Sequence, residues 1–333
     1  METHKLAIVI LNYNGIYYLK KFMSSTVKCS ERFAIYVIDN NSSDGSLKYL
    51  NDKFPSVKII KNDSNLGYAD GYNRGLKQID SEYYILLNSD VEVVKGWITP
   101  ILTFMEKNLD VAACQPKILD FNKKTHFEHA GASGGFIDVL GYPFCRGRIF
   151  DNLEQDSGQY DDNIEIFWAT GACLFIRSSS FWQVNGFDKD FFAHMEEIDL
   201  CWKLKNINQR IFCIPESFIY HVGGGTLQNS NPKKTMLNFR NNYFMLFKNL
   251  TFNEILFIFP ARLIIDIIAS VQFLFKSGFS HFLAVYSAIL SFIFYLPKNI
   301  VKRTNQKIKL QKRFKGLIII KFFVQKIVNF KDL

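Results

Sequence analysis

Several short polar clusters in this chain hold side chains able to bind or activate a small molecule, and most of them follow an apolar run. "NYNG" offers Asn12 and Asn14, "DNNSSDGS" offers Asp39 and Asp44, and "NSDVE" offers Asn88, Asp90 and Glu92. The carboxylates of Asp39 and Asp44 suit the N–H of a base or the hydroxyls of a ribose, although Asn, Ser, Asp and Gly also build plain turns. Asp90 ends the run "YYILL", so a strand apolar enough to be buried stops at a carboxylate. That carboxylate serves a solvated turn or a divalent cation held with oxygen ligands. "NLGYADGYNRG" places Gly67, Gly71 and Gly75 four apart. On a helix, Gly71 and Gly75 share a face and admit close approach of a ligand or of the sheet. His221 stands one residue before the run Gly223, Gly224 and Gly225, as a core histidine or as one aimed at a ligand.

These clusters need elements to position them. Lys5–Leu11, Ala34–Ile38, Val57–Ile60 and Tyr83–Leu87 read as strands, and Tyr17–Val27, Leu47–Asn51 and Asp70–Gln78 as helices between them. Continuous apolar strands alternating with helices predict an α/β fold with a mostly parallel sheet covered on both faces. In such sheets ligands sit beyond the carboxyl ends of the strands, where these clusters fall. Further on, Glu165–Ile176 is apolar, and short helices follow near Ser178–Asn185 and from Met195. "RIFCIPESFIYHVGGG" reads as two short strands ending at His221, and Met236–Asn249 as a helix. Acidic residues at 196, 197 and 199 then lie at a helix start, where they favour the positive end of the dipole.

A dinucleotide site would need G-x-G-x-x-G after the first strand, and a phosphate loop would need G-x-x-x-x-G-K-[ST]. Neither occurs. A nucleotidyltransferase would want a glycine-rich basic loop in the place of "NYNGIYYLK". In their order, "VILNYNG", "VIDNNSSDGS", "NLGYADGYNRG", "LLNSDVEV", "TGACLFIR", "GFDKDFFAHMEEIDLCWKL" and "YHVGGGT" resemble glycosyltransferase family 2 over about residues 5 to 250. Among its members the chain looks most like the bacterial rhamnosyltransferase type that builds surface polysaccharides.

That resemblance implies a GT-A fold and a metal-dependent, inverting transfer of sugar from a nucleotide-sugar donor. The donor classes it implies are dTDP-rhamnose and UDP-hexoses, and the acceptor a glycan or a polyprenyl-phosphate-linked one. Asn12, Asn14, Asp39, Asp44, Gly67, Asn73, Asn88 and Asp90 would bind the nucleotide sugar. Asp90 and His221 would hold Mn²⁺ or Mg²⁺. Asn88 departs from the family's D-x-D pattern, leaving a neutral side chain where an aspartate is usual. Glu197, with Glu196 beside it, falls at the catalytic base, where Asp is commoner. Trp168, Thr170, Gly171 and Asp199 would line the acceptor, and Arg240 and Asn241 are further candidates for phosphate contact. The Q-x-x-R-W pattern usual in processive synthases is missing, which implies single additions. The alternative is a degenerate nucleotide-sugar-binding scaffold within an assembly complex.

After Leu250 the composition changes. Phe252–Phe275 and Phe279–Leu296 are largely apolar, with Lys276-Ser277-Gly278 between them, and Arg262 and Asp266 are spaced to pair on a helix. This predicts a membrane-associated region over residues 251–297, as a spanning hairpin or as helices lying in the interface. Residues 298–333 carry eleven Lys and Arg against one Asp, although the whole chain has a net charge of only +9. A basic tail after an apolar region suits an anionic membrane surface better than nucleic acid. The N-terminus runs straight into the first strand, too short an apolar run for a signal peptide. The expectation is a domain over 1–250 at the cytoplasmic face of the inner membrane. Six scattered Cys, without metal spacing, read as buried thiols.

Overall fold

The computed structural model describes residues 3–30, 32–223, 230–303 and 313–333. Its first half follows the alternation in the sequence: β1 (His4–Asn12), α1 (Ile16–Cys29), β2 (Ala34–Asp39), α2 (Ser46–Lys53), β3 (Lys58–Lys61), α3 (Gly67–Leu76) and β4 (Ser81–Leu87). The strands pair in parallel in the order β3-β2-β1-β4. Successive residues of β1 feed opposite layers. Ala7 and Val9 join a core with Ile38, Tyr72 and Leu86, while Leu6, Ile8 and Ile10 join one with Leu19, Val37 and Ile85. The glycine spacing of α3 serves this packing. A Cβ at Gly75 would lie 2.1 Å from Ile38 Cδ1, and one at Gly71 would lie 2.7 Å from the Asn40 amide. Their shared face lies on the sheet rather than on a ligand.

The sheet continues through strands that lie far apart in sequence. After β5 (Val91–Val93) and α4 (Thr99–Lys107) come β6 (Val111–Asp120) and a small sheet of β7 (Gly135–Ile137), β8 (Pro143–Cys145), β9 (Arg148–Ile149) and β10 (Asn152–Leu153). Then follow β11 (Ile164–Glu165), β12 (Cys173–Arg177), α5 (Ser178–Gln183), α6 (Glu196–Asn206), β13 (Arg210–His221) and α7 (Pro232–Asn249). β12 inserts antiparallel between β4 and β6, and β13 runs parallel to β6 with β5 and β11 against it. The pair of short strands expected over 210–223 is one strand. Its pairing breaks where Ile214 faces Pro116 and Phe218 faces Lys117. Pro215 sits in that break, because proline brings no N–H to a ladder.

α8 (Phe252–Lys276) and α9 (Phe279–Lys302) form a hairpin that turns at Ser277 and Gly278, where the sequence placed it. Thr251 and Glu254 close a capping box at its start. Phe292 of α9 seats the hairpin on the body against Tyr243 and Phe247 of α7 and Phe259 of α8. Arg262 and Asp266 pair at 3.3 Å and are buried, and the hydroxyls of Tyr142 and Tyr243 donate to Asp266 at 2.9 and 2.7 Å. The described part of the basic C-terminus folds back on the small sheet. Phe314 N–H donates to Ile137 O at 2.9 Å, Ile318 N–H to Asp138 at 3.0 Å and Phe330 N–H to Glu154 at 2.8 Å. Lys307, Lys309 and Lys312 lie outside the described residues.

Candidate active site

The carboxyl ends of β1 and β2 hold the first group of expected residues. Asn12 Nδ2 donates to Asp39 Oδ1 at 3.0 Å and to Ser42 Oγ at 3.0 Å. Ser42 N–H donates to the second Asp39 oxygen at 2.9 Å, and Ser43 N–H to Asn14 Oδ1 at 2.8 Å. Asp44 accepts the N–H of Ile16 at 2.8 Å and that of Ser46 at 3.0 Å, which ties the starts of α1 and α2 together. Burial works against charge on Asp44, but hydrogen bonds from Ser46 and Ile16 hold its carboxyl below the usual range. Asn12 Oδ1 is buried without a protein partner among the described residues, so this pocket retains an acceptor for a ligand N–H or hydroxyl.

At the end of β4, Asp90 is buried and its Oδ1 stands 3.1 Å from His221 Nε2 at the end of β13. The other ring nitrogen of His221 lies 3.1 Å from Glu128 Oε2. Burial alone would lower the imidazole's pKa, but the carboxylates on either side outweigh it and hold it up at about 10. The arrangement fits a divalent cation once the ring gives up its Nε2 proton, since only neutral imidazole can ligate a metal. Two adjacent ligands of an octahedral ion, each at about 2.0–2.2 Å, lie roughly 3 Å apart. A carboxylate on the far nitrogen is the usual support for a metal-binding imidazole. No group of three His, Cys, Asp or Glu among the described residues is placed to hold an ion alone. An ion here would complete its shell with water or ligand phosphate, as Mg²⁺ commonly does. Glu92 pairs instead with exposed Lys124 at 2.7 Å.

The glutamate pair opens α6 behind a strained approach. Phe192, His194 and Met195 all have positive φ, at 64°, 73° and 70°. Such backbone is uncommon for residues with side chains and persists only where the surroundings hold it. Here Asn241 Nδ2 donates to the carbonyls of Phe191, Ala193 and His194 at 3.0, 2.9 and 2.8 Å. Arg240 donates to Asp190 O and Phe191 O at 3.0 and 3.1 Å. Phe192 O accepts from Tyr68 N–H at 2.6 Å, and a Cβ at Gly67 would sit 2.4 Å from that same oxygen. Gly67 also has φ +72°, so two separate facts call for glycine there.

Glu196 is buried and Glu197 partly so, and one carboxyl oxygen of each is buried with no protein partner among the described residues. Burial pushes the Glu197 carboxyl up to about 7. Burial and the neighbouring charge of Glu197 push Glu196 well above the carboxylate range. Gly171 links this pair to the sheet: an added Cβ there would lie 3.9 Å from Glu197 Cβ, and its carbonyl accepts from Tyr68 OH at 2.8 Å. Next along the chain, Ala172 O accepts the N–H of Asn88 at 3.0 Å. The glutamate pair, Gly171–Ala172 and the end of β4 are therefore contiguous.

Other expected residues have their polar atoms engaged inside the protein. Asn73 exchanges two hydrogen bonds with the backbone of Phe187, at 2.8 and 3.0 Å. Asp199 is fully buried and accepts from Lys248 at 2.9 Å and Asn249 at 2.9 Å, so it holds α7 to α6. Trp168 donates to Phe136 O at 2.9 Å, and Thr170 accepts from Ala172 N–H at 3.1 Å; both are buried. Arg240 and Asn241 grip the loop before α6. Gly224 and Gly225 lie outside the described residues. Sequence reasoning missed Glu128, which sits in a stretch read without elements, and Tyr68, which looked like one aromatic among many.

Beyond this geometry, residues 7–184 match the model of the family "Glycosyl transferase family 2", just over half of the chain. The chain belongs to that family. It is a glycosyltransferase similar to bacterial rhamnosyltransferases. It is 26% identical over 235 residues to the N-acetylglucosaminyl-diphospho-decaprenol L-rhamnosyltransferase of Mycobacterium tuberculosis, covering 66% of this chain and 76% of that one. Against the rhamnosyltransferase WbbL of Escherichia coli it is 24% identical over 223 residues, covering 64% and 82%. Among solved structures, GalNAc-T7 with UDP, GalNAc and Mn²⁺ aligns at a TM-score of 0.57 and 16% identity, over 74% of this chain and 48% of that one. The chain thus spans about half the length of GalNAc-T7. The mannosyltransferase PcManGT of Pyrobaculum calidifontis, with GDP-Man and Mn²⁺, aligns at 0.52 and 9% identity, over 89% and 76%. These two likenesses establish the shared fold.

Proposed function

We propose that the chain transfers one sugar per encounter, with inversion, from a nucleotide-sugar donor of the dTDP-rhamnose or UDP-hexose class. The acceptor is a glycan or polyprenyl-phosphate-linked sugar at the cytoplasmic face of the inner membrane. The observation that carries this reading is the glutamate pair at the start of α6, with buried and unpartnered carboxyl oxygens. A carboxyl raised to about 7 is matched to proton abstraction near neutral pH. Glu197 accepts the proton of the acceptor hydroxyl as its oxygen forms a bond to the anomeric carbon and the bond to the donor phosphate breaks. Glu196, held protonated, keeps a second negative charge away from the base. Asn12 and Asp39 hold the nucleotide through the acceptor and carboxylate positions at the ends of β1 and β2. Asp90 and His221 would hold Mn²⁺ or Mg²⁺, which when bound neutralises charge on the leaving diphosphate. A relative that acts on a decaprenol-linked sugar supports the lipid-linked acceptor.

The test is thermal stability of purified protein with dTDP, UDP and GDP, each with and without Mn²⁺. A ligand at about 100 times its dissociation constant adds roughly 2.7 kcal/mol. The expected result is a rise with one nucleotide that grows with Mn²⁺ and survives Glu197→Gln. Folded protein that responds to no nucleotide would overturn the transferase reading in favour of a scaffold.

A further inference from the structure

We infer that the α8–α9 hairpin docks flat on an anionic bilayer, embedded in one leaflet without crossing it; this deepens the membrane-facing reading above. Of the 23 large apolar residues exposed among the described residues, 16 lie on these two helices and four more on residues 320–328. On α8 they recur as Leu256, Leu263, Ile267 and Val271, a stripe down one side of the helix. Five polar residues of the hairpin point the other way. Arg262, Asp266 and Ser270 of α8 and His281 and Asn299 of α9 are all buried against the body or within the hairpin.

That arrangement decides between lying and spanning. α9 is long and apolar enough to cross a membrane by length and composition, and α8 is as long. A hairpin that crossed would carry the middle of α8 to the bilayer centre. The middle of α8 instead holds Tyr142 of the β7–β8 turn and Tyr243 of α7 on Asp266. That turn, with its hydrogen-bonded Asp138 and Gly141, would have to follow into hydrocarbon. Irregular backbone is not tolerated there against lipid. With the body packed along both helices, only their outer side is left for the apolar phase.

The surface favours an anionic bilayer over a second protein copy. Exposed Lys276 at the hairpin tip and Lys298 near its other end flank the apolar stripe, and Lys315, Lys326 and Lys331 border the apolar patch of the C-terminal segment. A symmetric copy would bring these cations together, whereas anionic headgroups neutralise them.

The experiment places a single cysteine at the tip, Ser277→Cys, in the full chain bound to the outside of sealed vesicles of phosphatidylcholine and phosphatidylglycerol at 7:3. A membrane-impermeant maleimide is added outside, with the parent chain as control for Cys29. Labelling from outside, together with flotation that falls at least tenfold for Ile264→Glu/Ile268→Glu or on pure phosphatidylcholine, is the expected result. Both glutamates replace exposed residues, and an unchanged melting temperature reports that the variant folds. A tip protected from outside and labelled only after the vesicles are opened means a crossing hairpin and overturns the inference. A chain that stays off vesicles and sediments as a dimer overturns it too. No donor or acceptor is present, so the outcome is independent of whether the nucleotide shifts described above are found.

Discussion

The two clusters of the proposed active site are built on opposite terms. At the ends of β1 and β2, Asp39, Asn14 and Asp44 are hydrogen-bonded by neighbours within about thirty residues, and nearly every polar atom there has a partner. At the start of α6, two carboxyl oxygens and His194 Nε2 are buried without one among the described residues, behind three residues with positive φ. The first cluster is a stable cradle that exists before a ligand arrives. The second stores unfavourable charge and backbone conformation, and it persists because Asn241, Arg240 and Lys248 hold it from α7. Binding requires shape, which local turns supply at little cost. Proton abstraction requires a poorly solvated carboxylate, which only the surrounding fold can impose.

The contrast can be broken most forcefully at Glu197. Glu197→Gln should lower kcat by about 10²–10⁴-fold, the usual worth of a positioned base, while the nucleotide-induced rise in melting temperature stays intact. A drop in nucleotide binding instead would mean that the two clusters are not separable. Lys248 pairs with Asp188 and Asp199 at 2.7 and 2.9 Å, and both it and Asp199 are buried. Lys248→Met leaves Asp199 without a cation, while Asp188 keeps Lys302, and should cost about 3–5 kcal/mol in chemical denaturation. Glu128→Gln withdraws the support of the His221 ring, and half-saturation by Mn²⁺ should rise about 10–100-fold.

Smaller effects distinguish the two clusters by sign. The Glu197 carboxyl, raised to about 7 in the folded chain, contributes stability while protonated and loses it as pH rises toward and through that value. Activity should climb over the same interval as the base ionises. Glu197→Gln should therefore raise the melting temperature at pH 8 and leave it nearly unchanged at pH 4. On the donor side, Asn14→Ala removes the acceptor for Ser43 N–H and should lower stability by about 1 kcal/mol. If both variants moved stability the same way at pH 8, the contrast between a satisfied cradle and a strained base would fail.

How far the molecule could be read in advance depended on the range of the interactions involved. β1 to β4 and their helices announced themselves because each is a local apolar period bounded by turn residues. The hairpin turn and the Arg262–Asp266 pair were equally local. Residues 111–160 carried no such signal: β6 pairs with β12 and β13, far away in sequence, and the small sheet has strands of only two or three residues. Glu128 was invisible for that reason, since nothing beside it in the chain hints at a histidine ring 93 positions later. Asn73, Asp199, Arg240 and Asn241 stand at positions that the family pattern marks, yet the structure engages their polar groups in holding the loop and helix around the glutamate pair. A one-dimensional pattern shows that a residue matters and leaves open whether it meets the ligand or its neighbours.

By itself, the sequence determined the alternation of strands and helices, the placing of acidic and amide residues at strand ends, and membership in a family of sugar-transferring enzymes. Each follows from residue type and spacing, which a chain displays without folding. Tertiary structure alone decided that Glu128 stands behind His221, that burial raises one glutamate toward neutrality, and that Arg262 and Asp266 of the hairpin face inward. Burial and long-range pairing are properties of the packed chain, and they set the local dielectric on which a base and a membrane surface both depend.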